Sequence, residues 1–534
     1  MLLCACGHAQ PAARAQDPQQ AAPDAGPPPP DPAVISAQLS EETHALLRAE
    51  GELLWQRWTT GAGPLPASAL AAHPALLDPR ASWAPREAAA RATGPDQRAL
   101  QLLAHELALL GVPRDATDAL ERARAQLVFA APGDQRPERG ERDLDKLLTE
   151  EPSAVKRAGV ALAEARAAGA LAPLALARDA AVEKADWAGL QEQLHGVPLA
   201  QLGALAEQTL LATEAVAARA VASAAVRNLG LTSDRLRRAD LPRLVRTAQA
   251  DAEFPAGRAW PAAQKTFAAL GLELVLRVDA EPSPSKGARP LALLVDPPAD
   301  VRLSLRPAGG FDEQRSTLHE AARAAGGVLT RTPRWELAQL GDGAAAEGVA
   351  QLFEELCGNP AWLRDNTALR GEPLDDLVHT LAARRLLSAR RAAALVLFEL
   401  KRRGGPRTAE AQAALYRGLI QRATFAALSN DDAGRWALEA DDHLRTAPLL
   451  LGALLAAQLE AQLAAPWWQA PQPALRKLWE GGRAQPLPAL DPALLAQVAQ
   501  ERLSYVAPDA PPATPKPDYK YMQGDKKRRK KRKP

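Results

Sequence analysis

Residues 318–323 read Leu318-His319-Glu320-Ala321-Ala322-Arg323, a spacing that would suit a helical metal site if position 323 were histidine. Two imidazoles at i and i+4 share one helical face and bind Zn²⁺, and the glutamate after the first serves as general base for a metal-bound water. Here the second imidazole position holds Arg323. A guanidinium keeps its proton and has no lone pair to give a metal. His319 and Glu320 are therefore the candidate ligand and base, with a cation where a second ligand would stand. The chain has another His-Glu pair, His105-Glu106, with nothing metal-like around it.

Flanking elements must position these groups. Val301 to Arg306 alternates apolar and polar residues, the pattern of a half-buried strand, and Leu272 to Val278 reads the same way. Pro307 to Gly310 breaks the pattern, and a helix carrying His319 follows. Asp342 to Leu356 is a second amphipathic helix, and it carries Glu347. Upstream, Ser40 to Thr149 reads as amphipathic helices with Pro and Gly breaks, Glu151 to Ser223 as Ala-rich helix, and Ala239 to Leu270 as more helix. Helices resume after the sheet and run to about Tyr505. No internal repeat of solenoid period occurs. The expected fold class is mainly α: a large helical, metallopeptidase-like body with a small antiparallel sheet at 271–306.

In their order and spacing these pieces resemble a known family. From about Asp240 to Leu503, about half its length, the chain resembles the gluzincin zinc peptidases of the thimet-oligopeptidase and oligoendopeptidase type. It resembles the Taq-type carboxypeptidases more loosely. The strand at Val301 to Arg306 with its break at Gly310, the His319 helix and the Glu347 helix carry most of the likeness. Arg237 to Pro242, Lys286 to Pro290, Asp442-His443-Leu444-Arg445, Trp467-Trp468 and Leu478-Trp479 carry less. The resemblance implies that Glu347 is the third metal ligand, a carboxylate on a neighbouring helix. It also implies that His443 stands where the family has a tyrosine that helps polarise the substrate carbonyl. The catalytic candidates are thus Glu320 and His443, and the vestigial metal set is His319 and Glu347.

Catalytic zinc normally has three protein ligands plus water, so the altered set should not hold it. One expectation is that Arg323 replaces the metal electrostatically, its guanidinium pairing with Glu347 near Glu320. The other is that Arg323 points to solvent and Glu347 is protonated or bonded to water. The function implied is a degenerate, catalytically inactive zinc-metallopeptidase homologue, a pseudoenzyme without cofactor that keeps a groove for a peptide or protein ligand. The alternative is an active zinc metallopeptidase with a non-standard ligand set. His379 and His443, the other histidines in the matching region, would then be candidates for the missing ligand.

Composition bounds the remainder. The chain has 534 residues, is 47% hydrophobic and only 4% aromatic, and is rich in Ala, Leu and Arg, as in a mostly helical protein. It contains no run of 18 apolar residues of the kind that spans a bilayer. Trp55, Trp58, Trp467, Trp468 and Trp479 are expected in the core or lining a groove. Met1-Leu2-Leu3-Cys4-Ala5-Cys6-Gly7 resembles the end of a bacterial lipoprotein signal, with Cys6 as the lipidated residue. The apolar segment is too short for a working signal and lacks a basic start, so the true start is expected upstream. Residues 1–33, with Pro27 to Pro30, read as signal remnant and tether. The expected location is the bacterial cell envelope, lipid-anchored; the alternative is the cytoplasm. Cys357 completes a set of three cysteines, and is expected as a small buried hydrophobe with no disulfide framework. Residues 34–150 form an expected N-terminal helical region and 151–505 the gluzincin-like domain. In the disordered tail at 506–534, Lys526 to Lys533 is an unbroken run of eight basic residues. That run outweighs the overall net charge of +2, so the rest of the chain is net acidic. Such a run binds anionic lipid or another polyanion, or is simply solvated.

Overall fold

Asp31 opens the first helix. Its carboxylate accepts the Ala33 N–H, Pro32 takes the first helical position, and the helix Pro32–Thr60 ends at a left-handed Gly61. Each residue suits its place: a capping acceptor, a preset φ, and no Cβ at the stop. The helix thus claims the last two residues of the expected tether. The computed structural model describes residues 31–507, apart from 79, 113, 131–138, 184–185, 442, 464 and 485–486. Cys6, most of the tether and the basic run lie outside the described residues.

The described chain is mainly helical. The helix Leu199–Ala224 packs along Glu372–Arg403, and Pro492–Leu503 packs against both. The segment Leu199–Leu229 is long and apolar enough to cross a membrane by length and composition, with half of its most apolar window buried. The N-terminal helix packs on the strand Leu291–Asp296. His44 stacks on Trp335 with ring centroids 4.7 Å apart, and the Ser40 hydroxyl donates to Glu336 at 2.7 Å. Trp55, Trp467, Trp468, Trp479 and Cys357 are buried as expected.

The small sheet differs from expectation. Its order is Arg277–Asp279, Asp300–Ser304, Leu291–Asp296. Leu291 pairs antiparallel with Ser304, whereas Arg277 pairs parallel with Arg302. The sheet is therefore mixed, not antiparallel. Residues 280–290 cross from one edge to the other, so the first strand enters in the direction of the central one. Lys286 pins this crossing: its buried ammonium donates to the carbonyls of Asp279, Glu281 and Leu305 at 3.1, 2.9 and 3.0 Å. Leu272 and Leu274, read as strand residues, instead pack beside the core outside the sheet.

Gly309 and Gly310 turn the chain from sheet to helix with φ of 81° and 99°, a region that L side chains rarely enter. A Cβ on Gly309 would also lie 2.8 Å from the Ala256 nitrogen. The helix Phe311–Leu329 follows, its first N–H donating to Asp251 at 3.0 Å. It packs on two strands of the sheet and on the helix Ala344–Glu354. That second helix is capped by Asp342, whose carboxylate accepts the Ala344 N–H at 3.0 Å. On its far side it crosses Thr446–Gln462 closely. A Cβ on Gly452 would meet the Glu347 Cγ at 2.8 Å, so the crossing needs a residue without a side chain there.

Candidate functional site

Two helix faces meet at His319. On Phe311–Leu329, Arg315, His319 and Arg323 follow at four-residue steps, so they stack on one side. On Ala344–Glu354, Glu347, Gln351 and Glu354 follow at four and three residues and face them. His319 Nε2 lies 3.6 Å from Glu347 and 3.9 Å from Glu320. Its Nδ1 lies 2.9 Å from Glu354. The Glu347 carboxylate also accepts from Gln351 at 2.9 Å, and Glu354 is paired with Arg315 at 2.6 Å. Glu320 accepts the backbone N–H of Ala292 at 2.8 Å, which ties the helix to the sheet edge.

These contacts set the charge of the site. Burial alone would depress His319, but the bonds to Glu347 and Glu354 outweigh it and raise the imidazole to about 10. Burial pushes Glu347 and Glu354 up. The imidazolium pulls both below the usual carboxylate range, with Arg315 acting first on Glu354. At neutral pH the centre is an imidazolium clamped between two carboxylates.

Arg323 is placed otherwise than the first expectation had it. Its guanidinium is 42% exposed and lies 3.7 Å from Glu320, without an ion pair to Glu347. The cation in contact with Glu347 is His319, and Arg323 acts on that carboxylate only through its more distant charge. The physical reason is reach: the imidazole already points at Glu347 from the same helical face. The longer Arg323 side chain keeps its charged head near water. The expectation of an Arg323–Glu347 pair is corrected accordingly. Glu354 and Arg315 were missed, although their spacings (seven residues after Glu347, four before His319) put them on the same faces.

The residues present do not fit a zinc ion. Among the described residues no group of three His, Cys, Asp or Glu is arranged to hold a metal. His319 and Glu347 offer two donors, and the position one turn on is a guanidinium that offers none. Neither spare histidine closes the gap. The His379 ring is bonded to the Tyr505 carbonyl at 3.0 Å. His443 joins a different buried cluster, where its charge and that of His195 act on His105. His443 is not brought to the cavity beside His319, so the position expected to polarise a carbonyl there is not filled by it. Asp442, beside it, lies outside the described residues.

That cavity has a volume of about 530 Å³ and is lined by His319, Glu320 and Glu354 together with Arg246, Arg315 and Arg384. Pro242 and Ala288 to Pro290, from two of the weaker matching segments, also line it. Arg238 and Asp240 serve the fold instead: Arg238 pairs with Asp432 and Glu164 at 2.6 and 3.2 Å, and Asp240 with Arg157 at 2.6 Å.

No protein-family model and no curated protein matches the sequence. Solved structures do match its fold. The M32 carboxypeptidase from Deinococcus radiodurans R1 aligns with a TM-score of 0.56 at 15% identity, over 88% of this chain and 99% of that one. The Pyrococcus furiosus carboxypeptidase in its Apo-Mg form aligns at 0.55 and 12%, over 89% and 99%. Trypanosoma cruzi metallocarboxypeptidase 1 aligns at 0.55 and 12%, over 88% and 100%. Identities this low speak for the fold, and function must be argued from the site. The chain has a helical, metallopeptidase-like fold, shared with an M32 carboxypeptidase, a second carboxypeptidase and a metallocarboxypeptidase.

Proposed function

We propose that this chain is a metallopeptidase-like binding protein that has given up metal-dependent hydrolysis and holds a peptide or protein ligand in the cavity beside His319. The observation that supports this reading is the state of the ligand positions. Arg323 stands where a second imidazole is needed, so His319 and Glu347 face each other as two donors without a third on that helical face. Without a metal, Glu320 has no bound water to activate, and its carboxylate holds the Ala292 N–H. The cavity mixes guanidinium and carboxylate groups, which suits the polar backbone and charged ends of a peptide.

Metal analysis tests the reading directly. Purified protein incubated with excess Zn²⁺ and then dialysed should retain far less than one zinc per chain, and should hydrolyse no peptide above the rate of the Glu320→Gln variant. Stoichiometric zinc that is lost on Glu347→Ala, together with Glu320-dependent hydrolysis, would establish the active-peptidase alternative instead. We further propose that Cys6 carries a lipid and that the run Lys526 to Lys533 meets an anionic envelope surface. Metabolic labelling with a radioactive fatty acid tests the first, because Cys6→Ala should abolish the label.

A further inference from the structure

A second cavity lies apart from the first and shares none of its lining residues. It is a groove of about 680 Å³ between the helices Trp187–His195, Leu199–Ala224 and Glu372–Arg403. Trp187, Leu199, Gly203, Leu397 and Leu400 make its walls apolar, and Arg403 lines it as well. That volume is in the range of small-molecule sites, which are mostly apolar with a few fixed polar groups.

Arg403 is the unusual member. Its side chain is only 7% exposed. Its Nε, Nη1 and Nη2 are all buried, and none has a hydrogen-bond partner among the described residues. The Trp187 ring covers one face of the guanidinium, with Cζ 4.0 Å from the ring centroid. The nearest carboxylate oxygen, on Glu399, is 3.9 Å away.

The neighbouring carboxylates are already taken. Glu399 accepts from Arg402 and from the Asp441 N–H, each at 2.8 Å. Asp179 is bonded by Arg402 through both oxygens and by Arg178 at 3.2 Å. Arg403 therefore meets Glu399 at 3.9 Å without a hydrogen bond, while Arg402, Arg178 and the Asp441 N–H hold the hydrogen bonds of the two carboxylates. A buried guanidinium without hydrogen-bond partners is costly, and a planar carboxylate answers its fork with two parallel bonds. Lys401 adds a second cation to the lining, while Glu207, the acidic residue there, is engaged by Arg422 at 2.6 Å.

We propose that this groove binds an aliphatic carboxylate, its head on Arg403 and its unbranched apolar chain between the Leu199 and Leu397 helices. The site goes beyond the reading of the His319 cavity and does not depend on it.

Titration calorimetry of the full chain with dodecanoate, kept below its micelle concentration, tests the assignment. Saturable binding of one dodecanoate per chain is expected. Acetate should give no heat because it lacks the chain, and dodecyltrimethylammonium none because its charge is reversed. Arg403→Gln should weaken dodecanoate by roughly tenfold or more, about 1.4 kcal/mol per factor of ten. Ala200→Trp, on the exposed rim of the groove, should weaken it similarly while leaving Arg403 in place; it decides the matter alone if the Arg403 variant does not fold by circular dichroism. No saturable binding, or equal affinity in a folded Arg403→Gln variant, overturns the proposal. Phosphatidylglycerol vesicles form the second arm: Arg403-dependent recruitment to them without any response to dodecanoate would assign the groove to a lipid headgroup and overturn the free-acid assignment.

Discussion

Arg323→His should turn the clamped imidazolium into a zinc site. Two ligand bonds of about 2.0–2.1 Å meeting at a tetrahedral angle place their donor atoms about 3.3 Å apart. His319 Nε2 and the Glu347 oxygen are 3.6 Å apart, so a metal could bridge them with little movement. Glu354 on Nδ1 would remain as the outer partner that orients a ligating imidazole. The substitution supplies a third donor one turn along the same face and removes a cation from beside the metal. The main cost is the proton. With His319 held near 10, its displacement at pH 7 costs about 4 kcal/mol. Against roughly 10–16 kcal/mol for a full ligand set, about 6–12 kcal/mol remains. That corresponds to a dissociation constant between tens of micromolar and nanomolar. Because zinc replaces a proton below the imidazole's own value, affinity should rise roughly tenfold per pH unit between 7 and 9. Competition against a chromophoric chelator at pH 7 and pH 8 reads both quantities, with the parent as the non-binding control. A variant that is folded by circular dichroism yet takes up no zinc at 100 μM, roughly the weak end of this range, would refute the reasoning. His319 and Glu347 would then not converge as donors.

Three further outcomes are expected. Glu354→Gln removes the carboxylate shared by His319 and Arg315 and leaves two buried cations short of a partner. Urea denaturation should show a loss of about 3 kcal/mol, the usual scale for breaking a buried pair, and an unchanged midpoint would contradict the clamp. Burial, assisted by the charges of His195 and His443, depresses His105 to about 4. Its folded value thus lies below the unfolded value of about 6.5, so its support for the fold is complete above that pH and is lost as pH falls toward 4. The loss approaches about 3 kcal/mol; comparing denaturation at pH 7 and 4.5 in the parent and in His105→Gln should show a flatter dependence in the variant, and equal slopes count against it. Deleting residues 526–533 should cut vesicle binding to anionic lipid, at roughly 1 kcal/mol per basic residue, and should abolish most of its salt dependence; unchanged binding would leave the run without a membrane role.

The sequence by itself determined what is local. Helical periodicity fixes that Arg315, His319 and Arg323 share a face and that Glu347 and Glu354 share another, because 3.6 residues per turn leaves no other arrangement. The double glycine at 309–310 marks the start of the site helix, since only glycine enters those backbone angles cheaply. The alternation at 301–304 marks the central strand. Tertiary structure decided everything that depends on which faces meet. Whether Arg323 or His319 would contact Glu347 turned on side-chain reach across the helix pair, which periodicity does not encode. The placement of His443 beside His105 and His195, away from the His319 cavity, came from packing of segments hundreds of residues apart. The parallel pairing of Arg277–Asp279 with the central strand likewise depends on the crossing loop held by Lys286. A buried guanidinium left without hydrogen bonds, such as Arg403, is legible only in the fold, because a sequence lists donors and acceptors without saying which of them meet.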